Sequence, residues 1–164
     1  MSVVPTPTRV CFVCLGNICR SPTAEAVMEH RLQFADAGVE VEVESAGTGS
    51  WHAGHPPDER AREEATRRGV PMGGTARQFV ATDFARFDLV MAMDSDNAAA
   101  LRALAPDDEA RAKVHLLREF DPEAGGDLDV PDPYFGGQEG FAEVFDMVDR
   151  SVVALIAHIA AAPR

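Results

Sequence analysis

Cys14 and Arg20 stand six positions apart in the segment Cys14-Leu15-Gly16-Asn17-Ile18-Cys19-Arg20-Ser21. On a turn that leads from a strand into a helix, successive backbone N–H groups of such a segment can converge on one point, and the positive end of the helix adds to them. Together they make a site for a tetrahedral oxyanion. Arg20 would add a planar fork that grips two phosphate oxygens. Donors that hold an anion also stabilise a thiolate. Cys14 at the base of the cup is therefore a candidate nucleophile toward phosphorus, with the phosphoryl oxygens held by the groups that activated it. A cysteine and an arginine at this spacing are common by chance, so the weight of the pair comes from its setting.

The elements around the pair supply that setting. Arg9 to Val13 is a β-branched and aromatic run that predicts a buried strand stopping near Cys14. Ser21 as N-cap, Pro22 at the first helical position and Glu25 in the first turn predict a helix, with Val27, Met28, Leu32 and Phe34 on its apolar side. Val39, Val41 and Val43 alternate with Glu40, Glu42 and Glu44 in the period of a half-buried strand. Asp58 to Arg68 reads as a charged helix closed by Gly69 and Pro71. Leu89 to Met93 reads as a strand, capped into a helix through Leu104 by Asp94-Ser95-Asp96, and Lys113 to Leu117 as a fourth strand. Glu119 to Asp132 carries six acidic residues and no basic one, broken by Gly and Pro, and is read as a loop. From Phe141 to Ile159 apolar residues recur at helical spacing. Strands alternating with helices predict an α/β fold: one three-layer domain over residues 1–164, with a central four-stranded parallel sheet flanked by helices. Residues 1–8 are expected to form a flexible N-terminus. Ligands of such sheets bind beyond the carboxyl ends of the strands, which singles out the phosphate-binding loop after the first strand.

Composition narrows the function. The 164 residues are 46% hydrophobic and 26% charged, the balance of a folded domain. A formal net charge of −12 argues against nucleic acid or an anionic membrane as partner. An anionic substrate must then be captured locally, which a screening length of roughly 8 Å permits. Cys11, Cys14 and Cys19 are the only cysteines, an odd and clustered set that suits a reducing compartment. No basic region followed by an apolar stretch opens the chain, and the apolar run near Val152 to Ala162 is too short to span a bilayer. The expected location is cytoplasmic, with secretion lacking a signal peptide left open. Cys11 and Cys14 have the spacing of a zinc or thioredoxin-like pair, but in a strand they face opposite sides, so Cys11 is read as core. His52 and His55 beside Trp51 fall in a Gly/Pro-rich loop and are read as solvent-exposed rather than as ligands. No Walker loop and no dinucleotide fingerprint is present, so neither metal nor cofactor is expected.

Val13-Cys14-Leu15-Gly16-Asn17-Ile18-Cys19-Arg20-Ser21-Pro22 resembles the signature of the low-molecular-weight protein tyrosine phosphatases. The similarity continues through Ser45-Ala46-Gly47-Thr48, Asp58-Glu59-Arg60, Ala76-Arg77-Gln78, Met93-Asp94 and Asp132-Pro133-Tyr134, nearly the whole chain. The resemblance implies metal-independent hydrolysis of phosphotyrosine through a phosphocysteine, with Cys14 as nucleophile, Arg20 as phosphate binder and Asp132 as general acid and then base. It implies that Leu15, Gly16, Asn17, Ile18, Cys19 and Ser21 meet the substrate, that Asn17, Ser21 and Ser45 hold the loop in shape, and that Trp51, Tyr134 and Phe135 wall its mouth. The partners it implies are phosphotyrosine-containing proteins, with phosphate or other oxyanions as inhibitors.

A phenolate leaving group needs a proton, and one carboxylate can give it and later take one back from water. Spacing alone does not choose Asp132 among the six acids of its loop, although Pro131 and Pro133 limit where it points; the other five are read as solvated. Cys19 is either a packed thiol or a partner for a reversible disulfide with Cys14, and the resemblance supports the redox role. The chain departs from the family pattern at Gly74, where many members carry a histidine, and at Phe135, where a second tyrosine is common. Three rival functions compete with this one. A protein arginine phosphatase typically has a smaller polar residue at the position of Ile18. An arsenate reductase of this fold needs further cysteines downstream, and none follows Cys19. A phosphate-sensing module would have no need of Asp132.

Overall fold

Strand β1 (Thr8–Cys14) lies inside a four-stranded parallel sheet of order β2-β1-β3-β4, with β2 at Val41–Gly47, β3 at Leu89–Ala92 and β4 at Val114–Leu116. This is a computed structural model, and it describes residues 6–35 and 38–162. Of the expected flexible N-terminus, residues 1–5 lie outside the described residues, whereas Thr8 already belongs to β1. From Val10 to Cys14 every residue of β1 is buried, because helices cover both faces of the sheet. Val10, Phe12 and Cys14 share one core with Val27, Met28, Phe145 and Val152. Cys11 and Val13 point the opposite way and pack with Phe79, Phe84 and Leu101. Two-residue alternation along one strand thus divides the domain into three layers, with Cys11 in the core as its strand position implied.

The helices are α1 (Arg20–Phe34), α2 (Glu59–Arg67), α3 (Ser95–Leu104), α4 (Asp108–Arg111) and α5 (Gln138–Ala161), with 3-10 turns at Ala81–Ala85 and Leu117–Phe120. Asp94 caps α3 as read from sequence, accepting from the Asn97 amide; Asp58, read as the first residue of its helix, is instead the N-cap of α2 and accepts from the Arg60 amide. The start of α1 differs. Arg20 is its first residue and Cys19 its N-cap, with no side-chain cap bond, so Ser21 is not the cap, Pro22 is not at the first position and Glu25 lies past the first turn. The Ser21 hydroxyl is used instead by the preceding loop. Phe34, assigned to the apolar side, is 75% exposed because α1 runs beyond the core there. Val39 precedes β2, and Met93, Lys113 and Leu117 fall just outside their strands. α4 and the 3-10 turns are too short to carry a hydrophobic period.

The acidic segment after β4 is a loop, but not all of it is solvated. Asp121 is buried between Arg118 and Arg150, which donate to it at 3.1 and 3.0 Å. Asp129 accepts from the Ser95 amide at 2.9 Å. All three partners lie outside Glu119 to Asp132, so the run of acids gives no sign of them.

Candidate active site

β1 ends at Cys14 and α1 begins at Arg20, so residues 15–19 must turn the chain in five steps. The carbonyls of this turn are taken from outside. Thr48 and Gly49 donate to Cys14 and Leu15 at 2.8 and 2.9 Å, the Asp58 amide to Ile18 at 2.7 Å, and the Thr23 hydroxyl to Cys19 at 2.7 Å. In a trans peptide the next N–H points opposite to the carbonyl, so fixing these carbonyls outward turns the amides of residues 15, 16, 19 and 20 inward. The amides of residues 15–19 have no acceptor among the described residues. Beside the positive end of α1 they form a ready site for an oxyanion.

Gly47, opposite Cys14 in the β1–β2 register, is required here. A Cβ on it would meet the Leu15 carbonyl oxygen at 2.8 Å. Asn17 takes the one left-handed backbone among the described non-glycine residues, with φ +56°, a conformation asparagine tolerates better than most. Its side chain ties the turn together: Nδ2 donates to Ser21 Oγ at 2.8 Å and to Ser45 Oγ at 3.0 Å, and Oδ1 accepts from the Arg77 amide at 3.0 Å. Ser21 Oγ lies 3.0 Å from Cys14 Sγ.

Arg20 is 3% exposed, and its guanidinium is clamped along one edge: Nη1 donates to Asp94 Oδ2 at 2.6 Å and to the Val130 carbonyl at 3.0 Å. Burial works against the charge on Arg20, but Cys14 and Asp94 more than offset it and hold the group above its ordinary pKa. Val130 is itself tied to the end of β3, donating to the Met93 carbonyl at 2.8 Å. Two residues on, Asp132 places Oδ2 3.8 Å from Arg20 Nη2 while Oδ1 accepts from the Tyr134 amide at 3.1 Å. Arg60, fixed by Asp58, donates to the Gly136 carbonyl at 3.0 Å and lies over the Tyr134 ring, so the same cap that starts α2 steadies this loop.

The cleft so formed is lined by Cys14, Leu15, Gly16, Ile18, Cys19, Arg20, Asp132, Trp51, Tyr134 and Phe135, all named from sequence. Asn17, Ser21 and Ser45 are not among the residues that line it; their side chains lie behind the turn and brace it. Phe135 and Trp51 stand 93% and 71% exposed at the mouth. Two participants were missed. Asp94 was read only as a helix cap, and it does cap α3 through Oδ1, but Oδ2 also clamps Arg20. His52, read as solvent-exposed, is half-buried in the cleft wall beside Tyr134. No local signal marks either role, since both arise from where the sheet brings distant segments.

Cys11, Cys14 and Cys19 are all free and buried. Burial and then Asp58 and Cys14 push the Cys19 thiol far above its usual range. Among the described residues no group of three or more His, Cys, Asp or Glu is placed to hold a metal, and no helix is long and apolar enough to cross a membrane. The arrangement can bind a phosphoryl group with a thiol below it and a carboxyl beside it.

The low molecular weight phosphotyrosine protein phosphatase family matches residues 9–163. A low molecular weight protein-tyrosine-phosphatase of Streptomyces coelicolor is 51% identical over 92% of this chain and 93% of its own. Among solved structures, a protein tyrosine phosphatase from Entamoeba histolytica is similar at a TM-score of 0.88 and 38% identity, covering 93% of this chain and 96% of its own. The Drosophila arginine phosphatase is similar at 0.83 and 31% identity, covering 92% and 96%. Matched along nearly its whole length, this chain belongs to the low molecular weight phosphotyrosine protein phosphatase family and is a hydrolase.

Proposed function

We propose that the protein hydrolyses phosphotyrosine in protein substrates, without a metal, through a phosphocysteine on Cys14. One observation carries this reading: Cys14 sits under an inward-facing set of loop amides, with Arg20 clamped at the rim and Asp132 3.8 Å from it. In the first step the amides and the free edge of Arg20 hold the non-bridging phosphoryl oxygens. The Cys14 thiolate forms an S–P bond as the P–O bond to the tyrosyl oxygen breaks, and Asp132 gives that oxygen its proton. In the second step the Asp132 carboxylate takes a proton from water, the water oxygen bonds to phosphorus, and the S–P bond breaks to release phosphate. The Ser21 hydroxyl supports the departing sulfur in this step.

The exposed rings of Trp51, Tyr134 and Phe135 suit a flat aryl leaving group, and phosphoserine is too short to bring its phosphorus to a buried sulfur. Phosphate and related oxyanions compete for the same amides and so inhibit. The whole chain serves as one such domain, in the cytoplasm, where its free thiols persist. Cys19 protects the enzyme by forming a reversible disulfide with Cys14 under oxidation.

Cys14→Ser tests the reading. It should abolish turnover of an aryl phosphate while phosphate binding persists, and appreciable residual turnover overturns it. On wild type, kcat/KM for phosphotyrosine peptides should far exceed that for phosphoarginine peptides; equality or reversal moves the assignment to an arginine phosphatase, an activity carried in name by one structural neighbour.

A further inference from the structure

A second hollow, polar and sharing no lining residue with the cleft, lies against the bracing network and is bordered by Asn17, Glu25, Ser45, Gly73, Gly74 and Arg77. Gly74 has φ +87° and nothing within 4 Å of where a Cβ would sit, so that segment sends no side chain to the network. The partner that reaches it is Glu25 of α1, whose Oε1 accepts from Ser45 Oγ at 2.5 Å.

Counting protons gives the network a direction. The Asn17 amide has two N–H groups and spends both, on Ser21 Oγ and Ser45 Oγ. Each serine then accepts at its oxygen and must place its single proton elsewhere. Ser45 places its own on Glu25. Ser21 can reach Cys14 Sγ at 3.0 Å or the Ala46 carbonyl at 3.3 Å, and an anionic sulfur is the stronger acceptor. Without a fixed acceptor at Glu25 the Ser45 hydroxyl is free to turn its proton toward Asn17 and compete with the amide. The left-handed Asn17 then loses one of the bonds that hold it, and the aim of Ser21 relaxes.

We propose that Glu25 is a positioning residue for Cys14: it commits the Ser45 proton, which fixes the Asn17 amide, which directs the Ser21 hydroxyl at the reacting sulfur. The inference rests on Cys14 being the reacting thiol. A carboxylate is a costly occupant of this site. Burial holds the Glu25 carboxyl above its ordinary range; the Ser45 bond works against that, and Glu44 adds to it. A hydrogen bond with Glu29 and the charge of Arg77 also work against the rise at Glu25, while Glu29 is itself held above the ordinary range by burial and by Glu25. An apolar side chain would pack there at less cost, and what Glu25 supplies in exchange is the acceptor.

Alkylation of Cys14 by iodoacetamide, assigned by fragment mass spectrometry to separate it from Cys11 and Cys19, reads the thiolate without reference to turnover. Glu25→Leu and Ser45→Ala should each slow alkylation about 3–10-fold at pH 6, the value of one neutral hydrogen bond. The double variant should be no slower than the slower single, since both cut one chain. Glu25→Gln, which retains an acceptor oxygen, should stay within about twofold of wild type. Wild-type rates in both single variants at pH 6, slowing in Glu25→Gln as large as in Glu25→Leu, or additive losses overturn the proposal. Ser45→Ala cuts the same link without touching α1, so a folding defect in Glu25→Leu does not obscure the result. Failure here leaves the hydrolysis reading to its own Cys14→Ser test.

Discussion

The two oxygens of Asp132 have separate duties. Oδ1 is engaged by the Tyr134 amide, which fixes the rotamer, and Oδ2 is left toward the cleft, with Arg20 its nearest cation. In the proposed reaction a carboxyl so placed would serve a leaving group that cannot depart as an anion. Asp132→Ala should lower kcat about 10²–10⁴-fold on a phenyl ester with a poor leaving group. The loss should shrink on an activated phenol, and equal losses on the two esters would make the residue structural. Residues of this kind differ in how far sequence exposes them. Cys14 and Arg20 were legible because the amide cup, its thiol and its arginine are neighbours along one turn. Asp94 was legible only as a cap, because its second oxygen meets Arg20 through the β1–β3 pairing. Ser21 was misassigned by a sound local rule: serine before proline and an apolar run marks a helix start, but here the hydroxyl bonds the loop behind it.

At the scale of elements, the turn between β1 and α1 carries Cys14 at its first end and Cys19 at its last, and the layers decide which thiols can meet. Cys11 points into the opposite core and Cys19 stays with the turn. Peroxide should convert Cys14 to a sulfenic acid, which condenses with the Cys19 thiol to give a disulfide and water. Wild type should lose activity in peroxide and regain it with dithiothreitol; Cys19→Ser should regain little, and Cys11→Ser should follow wild type. Burial and Asp58 keep the Cys19 thiol protonated, so the rescued fraction should rise with pH as more of it ionises. Peptide mapping checks the pairing, and a Cys11–Cys14 link would refute it. Long elements with a clear period, α5 and the strands, could be read in advance. α4 could not, being a single polar turn capped by Asp107, and element ends moved where the sheet rather than local propensity set them.

Over the whole molecule, the net charge of −12 conceals carboxylates placed to be charged. Burial raises the Asp58, Asp83 and Asp121 carboxyls, but arginines and backbone amides outweigh it, Arg60 at Asp58, Val80 and Arg77 at Asp83, Arg150 and Glu123 at Asp121, and all three end below the usual range. A carboxyl depressed by folding stabilises the fold above its unfolded pKa near 4 and loses that contribution as pH falls through the folded value. Melting temperature should therefore hold down to about pH 4 and then drop. Glu25 and Glu29, held above the ordinary range, push the other way and blunt the onset. Asp121→Asn should cost about 3 kcal/mol at pH 7, as a buried pair losing one charge does, and should flatten the acid limb of thermal melts; an unchanged limb would exclude this origin. The clamp on Arg20 reaches further still. Its two partners come 74 and 110 positions later in the chain. A nascent chain therefore lacks the full clamp on Arg20 until Val130 has been added.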